Sequence, residues 1–316
     1  MEKRKLGNSG LQIAPLMFGG NVFGWTIDEP ASFKLLDAFV DAGFDCIDTA
    51  EGYSNWHPGN KGGESETIIG KWLKKSGKRN RVTIATKVGW WNTPEDNKGL
   101  TKARILQSAE DSLARLQTDY IDLYQTHKDD STNPIEERLA AYDQLKKQGK
   151  VRAIGASNYT APRLAEALKI SREKNLPRYE SLQPLYNLYS RAEFEAELAP
   201  VCEKENLGVI TYSSLASGFL SGKYRSEADL SKSLRGFRVE KYLNERGFRI
   251  LAAVGEVAKE NGATPAAVAL AWLLTRPTVT APIASATSTT QLGELIAGAR
   301  LKLNSDSIEL LNQASA

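Results

Sequence analysis

The polar residues Asp48, Tyr53, Lys87 and His127 stand at or just beyond the ends of consecutive predicted β-strands. Side chains from different strands converge when the strands lie parallel in one sheet, which is how barrel enzymes assemble a site. A carboxylate, a phenol, an amine and an imidazole at one barrel mouth can deliver a proton to a carbonyl oxygen while a neighbouring group delivers hydride. This set of residues therefore predicts the reduction of carbonyl compounds.

Proton delivery requires an acid whose pKa is tuned, because a free tyrosine has a pKa near ~10 and is a poor acid at neutral pH. A lysine ammonium beside the phenol stabilises phenolate, and an aspartate paired with the lysine keeps it charged and fixes its position. We therefore expect Tyr53 to be the acid, Lys87 to tune it and Asp48 to anchor the lysine. His127 is expected to give a neutral hydrogen bond to the substrate oxygen.

The elements that must position these residues alternate regularly along the chain. Short β-branched or apolar runs predict strands at 16–19, 45–48, 82–87, 120–127, 151–157, 181–186, 208–212 and 279–283. Apolar residues at helical spacing predict helices at 31–42, 64–75, 101–116, 134–148, 161–174, 195–206, 264–275 and 289–297. Eight such alternations with right-handed crossovers favour a closed (β/α)8 TIM barrel over an open sheet.

Residues 1–316 are expected to form one barrel domain, preceded by a β-hairpin in which 3–6 pairs with 11–14. Two insertions, 51–63 and 213–247, exceed ordinary loop lengths. Loops this long are commonly functional, and these emerge at the carboxyl face of the predicted barrel. We expect them to hold ligand.

Composition argues against several other classes of protein. The 41 basic and 38 acidic residues are interspersed and leave a net charge of only +3, which gives nucleic-acid binding little support. No run of 18 apolar residues occurs, and 1–10 lacks the apolar segment of a signal peptide. Cys46 and Cys202 have no CxxC spacing, so no metal site is expected. We expect a cytoplasmic protein without a membrane anchor.

Two further considerations bear on the chemistry. The turn after the first barrel strand, 18–24, lacks the Gly-x-Gly-x-x-Gly pattern of a doubly wound dinucleotide fold, so a nicotinamide cofactor would have to bind without it. Barrels also host Schiff-base chemistry, and Lys87 could be the nucleophile of an aldolase or isomerase. That alternative leaves Tyr212 and the pair Ser157 and Asn158 unexplained.

Four sequence motifs give a resemblance that extends over essentially the whole chain. They are GFDCIDTAEGY at 43–53, ATK at 85–87, DYIDLYQTH at 119–127 and KVRAIGASN at 150–158, with a further match around Gln183. Together they resemble the aldo-keto reductase family, in its bacterial and potassium-channel β-subunit-like branch. The resemblance implies an NADPH-dependent (β/α)8 oxidoreductase.

The resemblance also implies cofactor contacts. Ser157, Asn158 and Gln183 would hold the nicotinamide amide, and Tyr212 would stack on one face of the ring and fix the hydride direction. The other implied contacts are Gly20, Asp48, Ser213, Leu215, Ser217, Gly218, Lys223, Ser285, Thr287, Gln291 and Glu294. Ser285 and Gln291 stand where many relatives carry a basic residue for the 2′-phosphate. This departure weakens the case for NADPH over NADH. NADPH remains the expected cofactor on the resemblance, with NADH as the alternative.

The expected partner is a small carbonyl compound, and no oligomeric state is predicted. Phe23, Trp25 and Trp90 are expected to line the substrate pocket with Tyr53 and His127. Aromatic walls favour aryl or alkyl aldehydes and ketones. The likeness to channel subunits leaves a second role open, in which the protein binds NADPH as a redox sensor and acts through a partner.

Overall fold

Eight parallel strands form a closed barrel in the computed structural model, which describes residues 2–89 and 99–316. The barrel strands are β3 (Met17–Gly19), β4 (Cys46–Asp48), β5 (Thr83–Val88), β6 (Ile121–Thr126), β7 (Val151–Ser157), β8 (Tyr179–Gln183), β9 (Gly208–Thr211) and β10 (Val279–Ala284). Each strand pairs with the next along the chain, and β10 closes the barrel against β3. The predicted (β/α)8 barrel is confirmed, as is its N-terminal hairpin of β1 (Arg4–Lys5) and β2 (Gln12–Ile13).

Helices surround the barrel. They are α1 (Glu29–Asp41), α2 (Glu64–Ser76), α3 (Lys102–Leu116), α4 (Ile135–Lys147), α5 (Ala161–Lys174), α6 (Ala199–Lys204), α7 (Glu245–Glu260), α8 (Pro265–Leu274), α9 (Thr289–Arg300) and α10 (Ser305–Ser315). A π-helical turn, Phe194–Leu198, leads directly into α6. None of the helices in the described parts of the chain is long and apolar enough to cross a membrane.

The strand and helix pattern predicted from sequence differs from the structure in two respects. Strand β8, the sixth strand of the barrel, begins at Tyr179, two residues before its predicted start, and ends at Gln183 rather than at 186. Helices α7 and α10 were not predicted, because a simple alternation assigns one helix to each strand. These two helices pack against each other.

The barrel interior consists of an apolar floor with a polar layer above it. Residues facing inward form one buried cluster: Leu6, Ile13, Met17, Cys46, Ala85, Leu123, Ala153, Ile210, Ala281 and Ile283. Because strand side chains repeat on one face every second residue, the next inward positions on β4, β5 and β6 are Asp48, Lys87 and Gln125. On β8 the corresponding residue is Gln183, and all four side chains are buried. The fold thus brings polar groups together at the carboxyl ends of the strands.

Helices α2 and α3 approach so closely that only glycine fits at one position of α2. A Cβ atom on Gly70 would lie 2.1 Å from the backbone oxygen of Arg115 and 2.7 Å from the carbonyl carbon of Leu116. Gly255 in α7 is a matched case without such crowding, since a Cβ there would meet nothing within 4 Å.

We predict that Gly70→Ala lowers the free energy of unfolding by about 2 kcal/mol, because the backbone of α3 must move to admit the methyl group. This corresponds to a fall in Tm of roughly 5 °C. Gly255→Ala should leave Tm unchanged or raise it slightly, since alanine favours helix by about 0.5–1 kcal/mol over glycine. Thermal unfolding followed by circular dichroism measures both. Equal Tm values for the two variants would contradict the close contact.

Candidate active site at the carboxyl end of the barrel

A buried ion pair lies at the centre of the polar layer. Lys87 Nζ is 2.7 Å from Asp48 Oδ2, and the two side chains are 0% and 1% exposed. The ammonium also donates to the backbone oxygen of Thr49 at 2.8 Å and to the Tyr53 hydroxyl at 2.8 Å. Tyr53 in turn donates to Asp48 Oδ2 at 3.1 Å. Three of the four residues predicted to share the chemistry are therefore in direct contact.

The turn after β4 carries Tyr53 to the ion pair. Its backbone is fastened to β5, because the amides of Thr49 and Glu51 donate to the carbonyl oxygens of Ala85 and Lys87 at 2.8 and 3.2 Å. The Glu51 carboxylate accepts a hydrogen bond from the amide of Gly89 at 2.8 Å. These bonds fix the position of the turn relative to β5.

His127 directly follows β6, and its side chain lines the cavity beside Tyr53. Its backbone amide donates to Val88 O at 2.8 Å, which ties it to β5. The imidazole and phenol rings meet edge to face with their centroids 5.9 Å apart. All four residues predicted from strand ends therefore lie together at one end of the barrel.

The protonation of these groups follows from burial. Burial raises the pKa of Tyr53 well above its usual value, and the charge of Asp48 adds to this shift. Burial lowers the pKa of Lys87, against the opposing effect of Asp48. Burial, reinforced by the charge of Lys87, lowers the pKa of His127 well below its ordinary value, so the imidazole is neutral.

The raised pKa of Tyr53 differs from the expectation that the lysine ammonium tunes the phenol by stabilising phenolate. The phenol donates a hydrogen bond to the Asp48 carboxylate, and this interaction favours the protonated form. The phenol of Tyr53 is therefore protonated in the resting protein. Lys87 remains 2.8 Å away, where it can stabilise the charge left when that proton departs.

A cavity of about 500 Å³ opens above the polar layer. Fifteen of the predicted site residues line it: Asp48, Tyr53, His127, Ser157, Asn158, Gln183, Tyr212, Ser213, Leu215, Ser217, Gly218, Lys223, Ser285, Thr287 and Gln291. Lys87 lies beneath Asp48 and Tyr53 rather than on the wall. The cavity has the size and the few convergent polar groups typical of a small-molecule site.

Two residues predicted to contact a cofactor lie off this wall. Gly20 is buried, and its carbonyl oxygen accepts a hydrogen bond from Ser65 at 2.8 Å. A side chain at Gly20 would come within 3.0 Å of the backbone oxygen of Asp48, so its glycine permits close packing. Glu294 lies on α9, three residues beyond the wall residue Gln291.

Two of the aromatic residues predicted to line the substrate pocket are also off the wall. Phe23 is 0% exposed and stacks on Phe18 with ring centroids 5.4 Å apart, so it belongs to the hydrophobic core. Trp25 packs edge-on against Trp56, which itself lines the cavity. Trp90 lies outside the described residues. Trp56, within the insertion 51–63, is thus an aromatic wall residue outside the predicted set.

Arg235 and Arg238 are further wall residues that were not predicted. Both belong to the insertion 213–247. The basic residues of that insertion were the sequence feature that could have identified them. Burial lowers the pKa of Arg235, and the positive charge of Arg238 adds to the shift. Within the described residues, the buried Nε of Arg235 has no hydrogen-bond partner.

The predicted nicotinamide contacts form a hydrogen-bonded group of side chains. Asn158 donates to the backbone oxygen of His127 at 2.8 Å and to Ser157 Oγ at 3.1 Å. The Tyr212 hydroxyl donates to Asn158 Oδ1 at 2.9 Å. Gln183 donates to Asp48 Oδ1 at 2.9 Å. This end of the cavity combines amide groups with one partly exposed aromatic ring.

Other residues of the cavity wall suit an anion. Thr287 donates to Gln291 Oε1 through its backbone amide at 2.9 Å, and helix α9 begins immediately beyond. Lys223, Arg235 and Arg238 line the same cavity. A helix N-terminus and a group of cations both favour phosphate, so the residues present fit a dinucleotide that spans the cavity.

No group of three or more metal-ligating side chains occurs in residues 2–89 and 99–316. Cys46 and Cys202 are both buried and free.

Comparisons with known proteins agree with this geometry. The model of the Aldo/keto reductase family matches residues 15–316. An uncharacterized oxidoreductase, YrpG, of Bacillus subtilis is 35% identical over 99% of this chain and 95% of its own length. A probable voltage-gated potassium channel subunit beta of Oryza sativa is 33% identical over 93% of this chain and 90% of its own. Aldo-keto reductase YhdN of B. subtilis is 32% identical over 88% of this chain and 82% of its own length. The chain therefore belongs to the aldo/keto reductase family.

Proposed function

We propose that this protein reduces aldehydes or ketones to alcohols, with NADPH as the preferred hydride donor and Tyr53 as the general acid. The observation that carries the proposal is the contact of Tyr53 with Lys87 and Asp48 at the wall of a cavity that fits a dinucleotide. A small carbonyl compound is the proposed substrate, and the aromatic wall favours aryl or alkyl groups on it.

When bound, the nicotinamide cofactor supplies the hydride that reduces the carbonyl carbon. Tyr53 holds the required proton at Oη and gives it to the carbonyl oxygen, and solvent then restores it. The Lys87 ammonium, 2.8 Å from Tyr53 Oη, stabilises the phenolate that forms, and Asp48 keeps the ammonium in place. His127 is neutral and orients the carbonyl oxygen by a hydrogen bond.

Cofactor binding is proposed to use both ends of the cavity. Ser157, Asn158 and Gln183 would hold the carboxamide, and the Tyr212 ring would lie against the nicotinamide. At the other end, Lys223 and Arg238 would supply positive charge for the phosphate groups. Arg235 is close enough to Tyr53 to affect the pKa of the phenol. Lys223 and Arg238 together support a ligand with an additional 2′-phosphate, and hence NADPH over NADH.

The geometry does not favour a Schiff-base aldolase or isomerase. A nucleophilic lysine needs a free lone pair and access to the substrate. Lys87 is fully buried, and its three ammonium protons are directed at Asp48, Thr49 and Tyr53.

A second candidate function is an NADPH-binding redox sensor that acts through a partner protein. It is favoured by the similarity to proteins named as probable voltage-gated potassium channel β subunits, from Oryza sativa and Arabidopsis thaliana. The two functions differ in turnover. A sensor binds NADPH tightly yet shows no steady-state oxidation with a panel of aromatic aldehydes, whereas a reductase oxidises it.

We predict that Tyr53→Phe lowers kcat by at least ~100-fold while NADPH binding is retained, because the variant loses the proton donor with little change in volume. Turnover is followed by NADPH absorbance with aromatic aldehydes, and binding by fluorescence quenching. Tyr120→Phe is the matched control, since Tyr120 immediately precedes β6, at the opposite end of the barrel from the site. Unaltered turnover in Tyr53→Phe would remove Tyr53 from the mechanism.

We predict that Lys223→Gln weakens NADPH and NADH by a similar factor of roughly 10, because both cofactors carry the pyrophosphate that Lys223 is proposed to meet. Wild-type protein should bind NADPH more tightly than NADH. Lys128→Gln is the control, because Lys128 is exposed and lies off the cavity wall. Fluorescence titration gives the six dissociation constants, one for each cofactor with each of the three proteins. A loss confined to NADPH would instead assign Lys223 to the 2′-phosphate, and equal wild-type affinities would overturn the NADPH preference.

A further inference from the structure

Gln125 lies in the polar layer below the cavity and has no part in the reaction proposed above. It is fully buried on β6. Gln183 Nε2 donates to Gln125 Oε1 at 3.2 Å and to Asp48 Oδ1 at 2.9 Å. Gln125 Nε2 is itself 3.5 Å from Asp48 Oδ1. The two amides and the carboxylate therefore form a closed triangle.

Only one orientation of the two amides satisfies this triangle. The Asp48 carboxylate, paired with Lys87, accepts hydrogen bonds and donates none, so each amide must present its nitrogen to it. If the Gln125 amide were turned over, its oxygen would face Asp48 Oδ1 and its nitrogen would face Gln183 Nε2. Both contacts would be repulsive. Gln125 and Asp48 together thus fix the orientation of the Gln183 amide.

This orientation decides what Gln183 offers to a ligand. Its amino group is directed at Asp48 and Gln125, and no hydrogen bond from the described residues reaches its Oε1. Gln183 lines the cavity. We propose that Gln125 is a positioning residue that keeps the side-chain oxygen of Gln183 available to the cavity, where it selects a ligand carrying an amide N–H donor. The inference rests on the proposed function, in which that donor belongs to the nicotinamide carboxamide.

Packing alone does not account for an amide at position 125. A Cβ on Gly155 would lie 3.2 Å from Gln125 Cγ and 2.4 Å from Ser181 Oγ, so glycine at 155 leaves room for the Gln125 side chain. The space below is filled by the apolar floor, which includes Leu123 on the same strand. An apolar side chain of similar size would fill the same space without the cost of burying a polar group. The hydrogen bonds to Asp48 and Gln183 are what the amide adds.

The test compares two ligands that differ only at the carboxamide. They are NADPH and its reduced 3-acetylpyridine analogue, in which a methyl group replaces the amino group and the N–H donors are absent. Fluorescence titration gives the dissociation constant of each for the wild-type protein, for Gln125→Met and for the control Leu123→Met. Leu123→Met changes the layer below on the same strand and conserves volume.

We expect the wild-type protein and Leu123→Met to bind NADPH about 5- to 10-fold more tightly than the analogue, as one hydrogen bond would give. In Gln125→Met the ratio should fall, because the Gln183 amide loses one of its two orienting partners and is held in this orientation by Asp48 alone. The ratio of the two dissociation constants should also fall in Gln183→Met. The double variant Gln125→Met/Gln183→Met should show no further fall. Gln125→Asn, which keeps an amide but is too short to reach, serves the same test if Gln125→Met does not fold.

An unchanged ratio in a folded Gln125 variant would overturn the inference, and so would a wild-type ratio near 1. Either result leaves the proposed reductase intact if turnover with NADPH is observed. Failure of the wild-type protein to bind NADPH would instead overturn the proposed function, and the inference with it. A loss of overall affinity without a change in ratio would mean that Gln125 only fills space.

Discussion

The buried ion pair of Lys87 and Asp48 is the interaction on which the site depends. Burial of two charges costs several kcal/mol for each ion, and mutual attraction offsets this only when the remaining donors and acceptors are also satisfied. Here they are satisfied: the ammonium has three acceptors, and both carboxylate oxygens have donors. Removal of either partner would leave an uncompensated charge, at a cost of about 3–5 kcal/mol. The groups that hydrogen-bond to the pair, Thr49, Tyr53 and Gln183, are therefore needed where they stand.

The barrel accommodates the buried ion pair because polar and apolar side chains occupy separate layers along its strands. Cys46, Ala85 and Leu123 form part of the floor, and Asp48, Lys87 and Gln125 stand two residues further along the same strands. The hairpin contributes Leu6 and Ile13 to the floor. Because the floor is apolar, the polar groups of the layer above find partners beside them, mainly in one another and in the backbone oxygen of Thr49. Their interdependence follows from this arrangement.

Much of the fold could be predicted from sequence because the relevant signals are local. The alternation of strand and helix identified the barrel, and residues at strand ends identified the groups that meet at its mouth. Helices α7 and α10 escaped prediction, since they are additions to the repeating unit. Loop residues were less predictable. Nothing in the sequence distinguished Trp56, which lines the cavity, from Trp25, which packs behind it. Similarly, the positions of Arg235 and Arg238 depend on how the long insertion folds back.

The least predictable property was the pKa of Tyr53, because it depends first on burial and then on the contact of the phenol with the Asp48 carboxylate. Sequence showed the lysine and the aspartate but not that the phenol is partly buried at the cavity wall and donates to the carboxylate. In the resting protein these effects favour the neutral phenol. As negative charge develops on a substrate oxygen, the proton has a new acceptor, and the ammonium 2.8 Å away becomes the closest compensation for the phenolate. The same ion pair thus retains the proton at rest and stabilises the anion formed when it is transferred.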